Sequence, residues 1–184
     1  MSNESDPSLR RRILDATFVV LARSGPRRLQ LSDVAAEAGV SRPSIYRYFA
    51  SKEGLLEAFG QYEQDNFDAG VAAAIAGLSG ADRLDAALTF IVEFQSSYSL
   101  HSLADIEPEH VIQQMRRTLP TMESSIVKIM VSEHREVAAA AVVRIALSHY
   151  LLGLGDPDQF LAELRHAAGL DPRRRRLPRR AAAG

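Results

Sequence analysis

The 184-residue sequence contains no cysteine, which excludes disulfide scaffolds, thiolate zinc sites and cysteine nucleophiles together. It also lacks a long apolar run. The purest, residues 137–143, ends at Arg144, well short of the ~18 residues of a membrane span. Residues 1–7 are polar and acidic, so no secretory signal is expected, and the reading is a soluble, cytoplasmic protein without membrane contact. No period-two strand, hairpin dipeptide or internal repeat is visible. Nor is there a Gly-x-Ser-x-Gly elbow, a His-Glu-x-x-His pair or a Gly-rich phosphate loop. Spacing supplies no acid/base pair in residues 56–172, so the chain reads as no enzyme and no cofactor is expected.

Charge is balanced in total and uneven along the chain. Residues 1–52 carry nine Lys/Arg against five Asp/Glu, a net +4. Residues 53–172 carry seven against eighteen, a net −11, and residues 173–184 add six Arg and no acid. An acidic body repels phosphate, so contact with a polyanion falls to the first fifty or so residues or to the tail.

Apolar periodicity predicts an all-α protein of about nine helices. Asp6 and Pro7 suit the start of the first, Leu9, Ile13, Ala16, Thr17, Val20 and Leu21 recur at helical spacing, and Gly25-Pro26 stops the run. A short helix is expected over about 32–38, a third from Ser41 to about Phe49, and a long fourth over 51–76. Helices at about 82–101, 109–119, 121–132, 133–154 and 156–168 complete the series. The boundaries imply a first helical module over 7–52, a second helical domain over 53–170 and a basic tail over 171–184 with no core-forming face.

The most informative text is residues 34–49. Ala35 is small where two helices approach closely, Gly39 supplies the positive φ of a tight turn, and Val40 plugs the corner. This is a helix-turn-helix pattern, whose second helix fits a major groove about 12 Å wide; the bland alternative is an ordinary αα-corner. The surface of the second helix argues against a corner. Arg42, Ser44, Tyr46, Arg47 and Tyr48 offer donors and flat rings, and no acid occurs between Ala38 and Lys52.

The run Val40-Ser41-Arg42-Pro43-Ser44-Ile45-Tyr46-Arg47-Tyr48-Phe49, followed by Ser51-Lys52-Glu53-Gly54-Leu55-Leu56, resembles the TetR family of transcriptional regulators over about residues 9–56. That resemblance implies a homodimeric repressor that leaves a double-stranded DNA operator when a small effector enters the C-terminal domain. It implies phosphate contacts at Tyr46 and Lys52, base-edge or thymine-methyl contacts at Arg42, Pro43, Ser44 and Arg47, and a phosphate contact at Tyr48. The family commonly has Thr or Ser at the Gln30 position. Gln30 is a weaker cap, so Ser32 is expected to start the second helix and to make its DNA contact. Arg10, Arg11 and Arg12 read equally as a backbone clamp or a solvated face. The arginines of the tail read as a DNA-holding or a solubilising end.

Three further expectations concern the C-terminal part. Ile145 and Leu152, with Phe160 and Leu164, lie on helices apolar enough to form a dimer seam. Tyr62, Phe90, Phe94, Tyr98, Met115 and Met122, with His101 as a polar point, are candidates to line an effector pocket, the effector itself being unknown but mostly apolar. His101, Asp105, Glu107, Glu109 and His110 match no tight ligand spacing; they read as a solvated acidic loop, and no metal is expected. The competing functions are a DNA binder without a ligand pocket and, further off, an enzyme carrying a helix-turn-helix module.

Overall fold

Asp6 begins the first helix as expected: its carboxylate accepts the Ser8 N–H at 2.9 Å, and Pro7 occupies the first turn. Hydrogen bonding from Ser8 holds the Asp6 carboxyl below the usual range. The computed structural model describes residues 6–97, 106–130, 133–152 and 155–170. Among the described residues there are eight α-helices and no strand. They are α1 (Pro7–Arg28), α2 (Leu31–Glu37), α3 (Arg42–Tyr48), α4 (Lys52–Ala74), α5 (Gly80–Ser97), α6 (Pro108–Val127), α7 (Arg135–Leu152) and α8 (Pro157–Ala167).

Two boundaries differ from the sequence reading. Helix α2 opens at Leu31 rather than Ser32, with Gln30 at its N-cap position and no side-chain cap bond. Helix α6 runs unbroken through Pro120, where two helices were expected. A proline costs a helix interior one backbone bond and about 3 kcal/mol. Pro120 and Arg116, four residues before it, are both exposed, so water can take the freed carbonyl. The predicted break at Gly25 is present: its φ of 74° and ψ of 163° end the regular part of α1, and residues 26–28 form a separate turn. The last residues of the predicted fifth helix and the basic tail lie outside the described residues.

The chain divides into two compact units. One is drawn from the stretch up to Gly70 together with the described residues up to Met115; the other takes Val71–Ser97 and the chain from Arg116 onward. In the first, Ile13, Leu14, Val20, Val34, Ile45, Leu55 and Phe59 form one buried cluster, with α2 packed on both α1 and α3. Thr17 is fully buried there and satisfies its hydroxyl on the Ile13 carbonyl at 2.8 Å. In the second, α8 packs on α5 and α7, closing a core that contains Leu84, Leu88, Val142 and Leu164. A two-point ion pair from Arg165 to Asp85, at 2.6 and 3.0 Å, ties α8 to α5.

Candidate nucleic-acid interface

Helix α3 is short and held from both ends. Ser41 caps it by accepting the Ser44 N–H at 3.2 Å, and Pro43 sits in the first turn where no donor is needed. Ile45 and Phe49 are buried and anchor the helix to the cluster beneath. Helical spacing then turns Arg42, Pro43, Tyr46 and Arg47 outward, with Tyr46 55% exposed. The Arg47 guanidinium lies 5.5 Å from the Tyr48 ring centre, and the Tyr48 hydroxyl reaches the Asp6 carbonyl at 3.5 Å. Ser44 is half-buried and shares a 2.8 Å hydroxyl bond with Ser41. This face therefore presents guanidinium and phenol donors without a carboxylate among them.

The turn before α3 has the anticipated geometry. Gly39 adopts φ of 64°, and the Arg12 guanidinium donates to the Ala38 carbonyl at 2.7 Å, closing the C-terminal end of α2. The other two arginines of that run are also used within the chain. Arg10 lies over the Phe49 ring at 5.7 Å, and Arg11 faces Asp15 at 3.8 Å. At the start of α4, Ser51 accepts the Gly54 N–H at 3.1 Å, and the Lys52 ammonium donates to the Arg27 carbonyl at 2.7 Å. Ser32 is half-buried in the first turn of α2.

Residues 13–59 match the family described as "Bacterial regulatory proteins, tetR family". That segment is a TetR-type helix-turn-helix domain. The chain is 36% identical over 86 residues to the HTH-type transcriptional repressor KstR of Mycolicibacterium smegmatis, covering 46% of this chain and 42% of that protein. The HTH-type transcriptional repressor LfrR of the same organism is 40% identical over 86 residues, covering 47% and 43%. The chain thus matches less than half the length of these curated relatives. The TetR-type fold extends further. A TetR-like transcriptional regulator from Rhodococcus sp. RHA1 superposes with a TM-score of 0.66 at 23% identity, covering 91% of this chain and 98% of the other.

The remaining candidate residues are divided between the two units. Tyr62 is half-buried and its hydroxyl donates to Asp15 at 2.8 Å. Burial, with Asp15 adding to it, pushes the adjacent Glu63 carboxyl up to about 7. On α5 in the second unit the Phe90 and Phe94 ring centres lie 5.8 Å apart at a tilt of 35°; Met115 is half-buried and Met122 exposed. Tyr98 and His101 lie outside the described residues. Of the expected seam residues, Leu152 is 62% exposed and Ile145 half-buried, whereas Phe160 and Leu164 are buried inside the chain. The His149 ring stacks on Phe160 at 3.9 Å, with its Nε2 3.2 Å from Glu163, whose carboxyl is held low by hydrogen bonds from Gln159 and His149.

Glu107 departs from the sequence reading. Expected in a solvated loop, it is only 8% exposed, and its Oε1 accepts the Arg27 N–H at 2.6 Å. The signal was present in part: the break at Gly25-Pro26 leaves the Arg27 amide in need of an acceptor. Nothing local names the partner. Glu107 borders a cleft of about 270 Å³ with Pro26, Arg27, Lys52, Leu56, Glu109 and Gln113. None of the aromatic residues expected around an effector lines it. Among the described residues no group of three or more His, Asp or Glu side chains is placed to hold a metal.

Proposed function

We propose that the chain is a DNA-binding transcriptional regulator, acting as a homodimeric repressor released from a near-palindromic operator by a small, mostly apolar effector. The single observation that carries the DNA-binding part is the outward face of α3, where Arg42, Tyr46 and Arg47 stand exposed on a helix locked by buried Ile45 and Phe49. In this reading Arg42, Ser44 and Arg47 meet base edges, Pro43 meets thymine methyls, and Ser32, Tyr46, Tyr48 and Lys52 meet the backbone. Repression is taken from the names of the two mycobacterial relatives, and the dimer from the family.

Selection of bound duplexes from a random pool, followed by footprinting, tests the reading. Two half-sites spaced so that recognition helices about 34–36 Å apart, or a multiple of that, meet the same side of the duplex are expected. An asymmetric single half-site contradicts the dimer, and no enrichment contradicts DNA binding. The charged lining of the cleft beside Glu107 favours a second reading, a DNA binder without an effector. Thermal shifts against a panel of apolar and aromatic small molecules separate the two: a compound that raises the midpoint and frees the duplex supports the effector.

A further inference from the structure

We propose that Glu107 is a positioning residue for DNA binding, holding the turn at residues 25–28 whose carbonyl seats the Lys52 ammonium. The inference rests on the reading of Lys52 as a backbone-phosphate anchor. Gly25 ends the regular part of α1 with φ of 74°, and Pro26 has no N–H, so Arg27 carries the first donor of the turn that follows. Glu107, 80 residues away in sequence, supplies the acceptor at 2.6 Å. The seat is shaped for this carboxylate. A Cβ on Gly25 would lie 2.9 Å from Oε1 and 3.4 Å from the carboxyl carbon. The other oxygen, Oε2, is buried without a hydrogen-bond partner and lies 3.6 Å from the Arg27 Nε.

From the opposite side, Lys52 Nζ donates to the Arg27 carbonyl at 2.7 Å. Arg27 is thus gripped at both backbone groups, by an acid on one side and a cation on the other. An ammonium has three donors, so the Arg27 bond leaves two for a phosphate while fixing where the head group stands. A free lysine loses side-chain entropy on reaching a phosphate; one already seated has lost part of it. Glu107 would then improve DNA binding although it is an acid. Simple electrostatics gives the reverse sign, because removing a negative charge near DNA strengthens attachment.

The test measures anisotropy of a duplex recovered from the random pool, and of its scrambled counterpart, across salt concentrations. Lys52→Ala is expected to flatten the log K against log salt slope by about 1 per bound subunit. Glu107→Ala should weaken binding and flatten the slope by the same amount, and the double variant should show no further change. Glu107→Gln keeps an oxygen for the Arg27 amide and should retain the wild-type slope. Glu107→Ala binding as tightly as wild type, or tighter, with an unchanged slope overturns the proposal. So does a double variant whose slope change is twice that of either single one. Amide exchange at Arg27 in the wild type is an arm independent of whether the variants fold: protection is expected, and exchange at the rate of an open amide overturns the proposal. Wild-type protein that binds no duplex overturns the regulator reading instead, and this inference falls with it.

Discussion

At the scale of single residues, the raised Glu63 carboxyl ties stability to pH. Its half-buried carboxyl shares its surroundings with Asp15, which faces Arg11 at 3.8 Å and accepts from Tyr62 at 2.8 Å. A carboxyl raised to about 7 in the folded chain contributes stability in full below its unfolded value. That contribution declines between about 4.5 and 7 and stays lost above. Glu63→Gln should therefore raise the thermal midpoint at pH 8 and leave it unchanged at pH 4. The gain should be about 1 kcal/mol, because a group half in solvent is strongly screened. A midpoint difference independent of pH would place the effect elsewhere. Arg47→Ala makes a different demand. If Arg47 reads a base, the loss should be about 1–3 kcal/mol per half-site on the selected duplex and small on its scrambled counterpart, as anisotropy would show.

At the scale of elements, the helix-turn-helix was legible because everything that defines it is local. Gly39, Ser41 and Pro43 set the turn and the start of α3 within five residues, and Ile45 names the buried side. Gly39→Ala forces a Cβ into the left-handed region, where about 1–2 kcal/mol is lost. Ser41→Ala removes a cap worth about 1 kcal/mol. Both should lower the urea midpoint without a change in m-value. The continuity of α6 was not legible, since a proline argues for a boundary wherever its surroundings are unknown. The exposure of Arg116 and Pro120 decides the matter, and exposure is a property of the fold. Glu107 escaped for the same reason at longer range: a lone acid beside a proline looks solvated until its partner 80 residues away is in place.

At the scale of the whole molecule, the apolar stripes were legible but the surfaces they meet were not. Phe160 and Leu164 read as seam residues, yet both are buried inside one chain, where α8 packs on α5 and α7. Exposed apolar side chains on α7 are Val137, at 74%, and Leu152, at 62%. A dimer built on α7 therefore predicts that Val137→Glu and Leu152→Glu yield stable monomers by light scattering. Leu164→Glu should instead unfold the second unit, since a charge without a partner at a fully buried site costs several kcal/mol. A dimeric mass in both surface variants would move the interface off α7.

The grip on Arg27 also has a history within each round of synthesis. The Arg27 amide leaves the ribosome 80 residues before the carboxylate that receives it. At about 5–20 residues per second, that gap lasts roughly 4–16 s. During it the nascent N-terminal helices must close on their own cluster, among them Ile13, Leu14, Val34, Ile45, Leu55 and Phe59, which is complete by the fifty-ninth residue. On the proposed reading, α3 can therefore take its place in the nascent chain before the turn that seats Lys52 receives its acceptor, so the order of synthesis puts the groove-facing helix ahead of its anchor.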